Sequence, residues 1–395
     1  MDLDAFRWLL TGAGQQLLAR AAGLLDEDPL RAAEVLRRDA DAAHAAAALT
    51  QAELRRRGAT KFGELASRMY FTPDGLEQAT RLRVAEHRAA RLVAASTATV
   101  VDLGCGIGGD LLACARAGIT AAGVDLDPVR VAVAEANLDA LGLGGAVAVA
   151  DATTVDTTPF DVAYADPARR SARGRSFDAS AWTPPWSFVE QLLRRDAVVK
   201  AAPGLPHELV PAGVEAEWVS DRGEVKEVAL WSGRLASTAR RATVLADGGL
   251  VTLTGEDDPG AAVREPGRFL YEPDGAVIRA GLVTAVAAGV HGGLLDGHIA
   301  WVTSDEPFTT PFARSYEVLE ELPFREKQLR AALRERGIGA LTIKTRGVGV
   351  VPEELRRRLA LHGEQEATLV LTRARDRGVC FRVRPLRSTT RDTTR

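Results

Sequence analysis

Thiols are scarce in this 395-residue chain, which holds only Cys105, Cys114 and Cys380. Three cysteines without metal-ligand spacing or even pairing argue against a disulfide framework and a zinc site, so no metal is expected. Reducing cytoplasm is the expected compartment. No apolar run approaches ~20 residues, so no membrane span is expected. The opening Met-Asp-Leu-Asp-Ala-Phe-Arg is acidic early and has no signal-peptide pattern. Internal repeats are not evident. What remains is an ordinary globular composition, 46% hydrophobic and 26% charged. A chain of this length exceeds one ordinary core, and two or three domains are expected.

Lysine is rare as well, 5 residues against 45 arginines, so arginine is this chain's default cation. The net charge of −3 conceals an asymmetry. Residues 321–395 carry 18 Lys+Arg and 9 Asp+Glu, whereas the remainder carries 32 and 44. A basic end on an acidic body suits a polyanionic partner, nucleic acid above all. A solvated surface with a basic tail is the plainer alternative.

The most informative stretch is Val100-Val-Asp-Leu-Gly-Cys-Gly-Ile-Gly-Gly-Asp110. An apolar β-run gives way to a turn with glycines at 104, 106, 108 and 109, then to the helical pattern Leu111–Ala115, the start of a nucleotide-binding α/β domain. Two cofactors fit. Gly104, Gly106 and Gly109 satisfy G-x-G-x-x-G with Asp125 about 20 residues on, as a dinucleotide site requires. Alternatively, Asp102 receives the ammonium of S-adenosylmethionine. Asp102 and Asp110 flanking the loop would repel a pyrophosphate and attract a donor carrying an ammonium and a sulfonium. The acids favour S-adenosylmethionine.

Further strands end in acids. Ile119–Val124 reaches Asp125-Leu126-Asp127-Pro128, with Asp125 placed for ribose hydroxyls, and a helix over 129–140 follows. Ala146–Ala150 reaches Asp151 and Ala152, placed for adenine, and Phe160–Ala165 reaches Asp166-Pro167-Ala168-Arg169. One such Asp is ordinarily a turn or helix cap. Four at successive carboxyl edges mark a ligand site.

With DLGCGIGG from Asp102, VDLDP from Val124, Asp151 and DPAR from Asp166, the chain resembles the class I S-adenosylmethionine-dependent methyltransferases over roughly residues 96–246. Phe71-Thr-Pro73 and Gln78-Ala-Thr80 resemble, more narrowly, a bacterial methyltransferase group with a C-terminal THUMP-like domain. The core is also similar to that of trimethylguanosine synthase. The resemblance implies an α/β fold: a Rossmann-like seven-stranded core with an N-terminal helical domain and a small C-terminal α/β THUMP-like domain. The expected divisions are a helical domain over 1–95, ending in one helix over Gly75–Ala94, the core over 96–246 and a connecting β-rich region over 247–320. A basic domain over 321–387 and a disordered tail over 388–395 complete the chain. Val214–Val219 and Glu224–Trp231 are expected strands, with Arg241–Leu245 closing the sheet.

The implied donor site comprises Asp102, Gly104, Cys105, Gly106, Gly108, Asp125, Leu126, Asp151 and Ala152, with Cys105 a small filler. Thr72 reads as an N-cap before Pro73 in a capped linker; the alternative, which the resemblance implies, is that Tyr70, Phe71 and Thr72 cover the cofactor or target base. Asp166, Pro167 and Arg169 form the implied catalytic set, Asp166 orienting a nucleophilic N–H and Pro167 rigidifying the turn. Amino-group methyltransferases place a second proline and then an aromatic after this acid, to stack a flipped base; here Ala168 and Arg169 stand instead, which puts base-amine methylation in doubt. A cationic loop, Arg169 to Arg175, follows. Thr183-Pro-Pro-Trp186 reads as a helix start with Trp186 packed on the sheet. The expected activity is methyl transfer to RNA; a non-catalytic RNA-binding adaptor and a small-molecule methyltransferase are the alternatives.

Overall fold

Four aspartate- or threonine-capped helices open the chain: Leu3–Leu9 (α1), Gly12–Ala22 (α2), Pro29–Leu36 (α3) and Ala42–Phe62 (α4). Asp2, Thr11, Asp28 and Asp41 each accept a first-turn N–H, as helix N-termini require. The computed structural model describes residues 2–169 and 182–386. The expected cationic residues Arg173 and Arg175 and the tail 388–395 lie outside the described residues.

The chain divides into two units, Met1–Glu215 with Ala229–Ser237, and Ala216–Val228 with Thr238–Arg395. In the first, Pro73–Gln78 (α5) and Leu82–Ala94 (α6) replace the single helix expected from Gly75. The break has two causes. The Lys61 ammonium gathers the carbonyls of Leu76, Glu77 and Ala79, and the Thr80 hydroxyl turns to Asp110. Then follow Thr99–Leu103 (β1), Gly109–Arg116 (α7), Thr120–Asp125 (β2), Pro128–Leu141 (α8), Ala146–Val149 (β3) and Val162–Ala165 (β4). A ribbon of Ala168–Arg169 (β5) and Trp182–Thr183 (β6) precedes Trp186–Leu192 (α9) and Ala197–Ala201 (β7). Trp186, expected against the sheet, meets Trp182 of β6 edge to face at 5.1 Å and donates to Glu190.

Glu215–Asp221 (β8), Glu224–Trp231 (β9), Arg240–Ala246 (β10) and Gly249–Thr254 (β11) complete a sheet ordered β3-β2-β1-β4-β7-β9-β8-β10-β11. Seven of these strands form the expected class I arrangement. Contrary to expectation, β10 does not close the sheet, because Asp247-Gly248 turns the chain back into β11. β1 pairs in parallel with β2 on one side and β4 on the other, so the order reverses between β1 and β4. In open α/β sheets this reversal is where ligands bind, at the strands' carboxyl ends. A single apolar cluster joins Phe6, Leu54, Phe62, Phe71 and Leu92 to Ile107, Leu111, Val133 and Tyr164, so the 95/96 division runs through one continuous core.

The second unit carries a seven-stranded sheet from Phe269–Pro273 (β12), Gly293–Asp296 (β13), Ile299–Ser304 (β14), Ala313–Leu322 (β15), Ile338–Thr345 (β16), Gln365–Ala374 (β17) and Arg377–Pro385 (β18), ordered β13-β14-β12-β15-β18-β17-β16. Its helices are Gly275–Ala280 (α10), Val283–Gly289 (α11), Glu326–Glu335 (α12) and Pro352–Leu359 (α13). Leu329, Leu333, Leu355 and Leu359 from the last two bury against Leu341, Ile343, Leu369 and Leu371. Residue 321, the expected start of the C-terminal domain, falls inside β15. No helix among the described residues is long and apolar enough to cross a membrane.

Candidate functional site

Asp102 is the last residue but one of β1 and is 3% exposed. Its Oδ1 has no hydrogen-bond partner among the described residues. Burial above all, with the neighbouring charges of Asp110, Asp166 and Asp125, pushes its carboxyl well above the usual range, while Arg88 opposes the shift. An orphaned buried carboxylate costs free energy unless a cation reaches it.

The loop beyond leaves room for one. Gly104, Gly106 and Gly108 have φ of +108°, +55° and +87°, conformations that side chains resist. A Cβ on Gly104 or Gly106 would meet no atom of the described residues within 4 Å, so these two glycines face open space. The Gly104 and Cys105 N–H groups both donate to the Val124 carbonyl at 2.9 Å, pinning the loop to β2. Cys105 packs its sulfur over Gly123, where a Cβ would lie 3.0 Å from it, and burial pushes the thiol far up. That is the filler role expected for this side chain.

Asp125 is already engaged. Its Oδ2 accepts the Gly106 N–H at 3.0 Å and its Oδ1 the Asp127 N–H at 2.9 Å, so it shapes the loop, with further lone pairs for a ligand. Leu126 beside it is 62% exposed. Asp151 is exposed and caps the turn Ala152–Thr154, taking the Thr153 N–H and hydroxyl on Oδ1, and these bonds hold its carboxyl below the usual range.

Asp110 requires a correction. Its charge is not presented to a ligand: it pairs with buried Arg88, and the hydroxyls of Thr80 and Tyr164 donate to it at 2.8 and 3.2 Å. The anionic lining that disfavours diphosphates therefore rests on Asp102. Phe71 is corrected too. It is fully buried, 5.6 Å ring to ring from Phe62 and against Gly58, with its N–H on Gln51, so it covers no ligand. Thr72 is the α5 N-cap, accepting from Gly75 at 3.0 Å.

Two residues escaped the sequence reading. Asn137, fully buried on α8, accepts the Tyr70 N–H and donates to the carbonyls of Tyr70 and Ile107, tying the segment before α5 to the glycine loop. Lys200, the one charge in β7, pairs with Asp166 Oδ2. Pro167 is buried, and the Arg169 backbone stands opposite Trp182 in the β5–β6 ladder.

A Mycobacterium tuberculosis protein named an uncharacterized S-adenosylmethionine-dependent methyltransferase is 41% identical over 332 residues, spanning 81% of this chain and 90% of its own. The chain belongs to the S-adenosylmethionine-dependent methyltransferases. A family model for a methyltransferase domain matches residues 100–169, one for a THUMP domain-like region matches 313–385, and one for a domain of unknown function matches 2–58. The crystal structure of a Porphyromonas gingivalis protein described as a methyltransferase superposes with a TM-score of 0.76 at 22% identity, covering 94% of this methyltransferase and 99% of that chain. The methyl donor is S-adenosylmethionine. The buried carboxyl whose Oδ1 has no partner among the described residues, and the open space over Gly104 and Gly106, fit a donor whose amino-acid end is a cation.

Proposed function

We propose that this methyltransferase modifies RNA, with Asp102 holding the donor's ammonium, Asp125 its ribose and Asp151 with Ala152 its adenine. A bound donor supplies an electrophilic methyl group on a sulfonium; the protein's contribution is alignment and exclusion of water. Gly104, Gly106 and Gly108 let the backbone approach closely, and the Asp125 carboxylate fixes their loop. Asp166, across the sheet's reversal from Asp102, faces the acceptor.

The observation that carries the RNA reading is the THUMP domain-like match over 313–385. Charge adds to it. Counted over that span, 16 Lys+Arg stand against 10 Asp+Glu, a smaller excess than from 321 because Arg387, Arg391 and Arg395 fall outside it while Glu317 and Glu320 fall inside. These glutamates and Glu321 neutralise Arg336, Arg382, Arg384 and Arg377. Exposed Arg325, Lys327 and Arg357 on and beside α12 and α13 have no ion-pair partner among the described residues. A cationic helical face of this kind suits a phosphate backbone.

Nucleoside mass spectrometry of RNA from a deletion strain and its parent tests the reading. One methylated nucleoside missing from the deletion strain is the expected result; identical nucleoside profiles, with label from the donor passing only to protein or small molecules, would overturn it. Reversing Arg325, Lys327 and Arg357 to glutamate should weaken RNA binding and flatten its dependence on salt, by roughly one unit of slope for each phosphate no longer neutralised.

A further inference from the structure

The pairing of Lys200 with Asp166 bears on which atom is methylated. In the sheet, Ala163, Tyr164 and Ala165 of β4 stand beside Ala197, Val198 and Val199 of β7, so Asp166 and Lys200 are the next neighbours past the ladder, at the carboxyl edge. Their side chains are 32% and 16% exposed, so both are partly buried. Asp166 is near enough to Asp102 to act on its charge, so the pair borders the donor pocket. Lys200 takes Oδ2, and Oδ1 has no partner among the described residues.

A carboxylate oxygen next to an ammonium offers one acceptor and one donor side by side. A hydroxyl, which donates and accepts at a single atom, satisfies both. A base amine offers N–H donors, but its nitrogen becomes cationic as it attacks, beside the Lys200 charge. A ring nitrogen offers a lone pair alone, which the carboxylate repels. The chain also places Ala168-Arg169 after the acid, without the aromatic on which a flipped base stacks.

We infer that the acceptor is a hydroxyl oxygen, namely the ribose 2′-hydroxyl if the RNA reading above holds, and that Lys200 is a catalytic residue. Asp166 Oδ1 takes the hydroxyl proton as the oxygen lone pair forms the bond to the methyl carbon. The sulfur–methyl bond breaks with both electrons left on sulfur, giving a neutral thioether, and the proton passes from Asp166 to water. Lys200 donates to the oxygen throughout and stabilises the negative charge that gathers there.

The test incubates the full chain with methyl-labelled S-adenosylmethionine and total extract, RNA included, from a strain lacking the gene, and fragments each labelled product at its glycosidic bond. Label on the sugar of a nucleoside is expected. Label on a base leaves the RNA reading standing and overturns this inference. Label in the ether of a hydroxyl outside RNA overturns the RNA reading and sustains this one, and label nowhere overturns both. Lys200→Met should lower kcat about a hundredfold or more with the donor Kd within about threefold, and Lys200→Arg should restore part of the rate. Unchanged turnover in Lys200→Met, or turnover and donor binding lost together, would remove Lys200 from catalysis.

Discussion

Replacing Asp102 with asparagine should move stability and affinity in opposite directions. In the free protein the carboxylate is 3% exposed, has one oxygen without a partner and lies among three other acids. A neutral amide of the same shape relieves that cost, on the order of 1 kcal/mol. With donor present the same change removes a buried, charge-assisted hydrogen bond, which costs about 2–5 kcal/mol, or roughly 30- to several-thousand-fold in Kd. The pH dependence has a definite sign. An acid whose folded value lies above its unfolded one contributes stability at low pH that is lost as pH rises through the folded value. The free wild-type protein should therefore lose stability above the ordinary carboxylate range, and Asp102→Asn should flatten that decline. Donor binding, which favours the carboxylate, should strengthen over the same interval and release a proton. Thermal unfolding with and without S-adenosylmethionine, and calorimetry in two buffers of different ionisation enthalpy, measure all of this. A variant that binds donor as tightly as wild type, or melts lower without it, refutes the reasoning.

Asn137→Ala strands the N–H and carbonyl of Tyr70 and the carbonyl of Ile107, and should cost about 3 kcal/mol in denaturant unfolding. Arg88→Met leaves Asp110 without its cation in a buried setting, a loss of about 3–5 kcal/mol by the same measurement. Gly104→Ala forces a side chain into φ +108° and points it at the open floor; stability should fall by roughly 1–3 kcal/mol, and donor affinity should fall with it.

Local rules wrote the core into the sequence. The β1–loop–α7 unit was readable because glycine is the residue that tolerates the three positive φ angles, and the strand ends because acids cluster where the sheet reverses. Strand Glu224–Trp231 lies where the sequence reading puts it. What stayed hidden depends on how distant positions meet. Lys200 reaches Asp166 only because β4 and β7 are neighbours, and Arg88 neutralises Asp110 only because α6 crosses α7. Phe71, read as a ligand cover, gives no local sign that Phe62 and Gly58 enclose it. The break before α6 likewise follows from Lys61, more than a dozen residues upstream. The extra edge strand, β11, was signalled by Asp247-Gly248, a hairpin dipeptide that composition alone obscures.

The Asn137 carboxamide has a consequence for anyone trimming the gene. Cutting the chain at residue 95 would strip Tyr70 from Asn137, Arg88 from Asp110 and the apolar cover from α7 and α8. A shortened enzyme that still folds should have to begin upstream of α1, because the leading helices form part of the wall on which the donor loop is built.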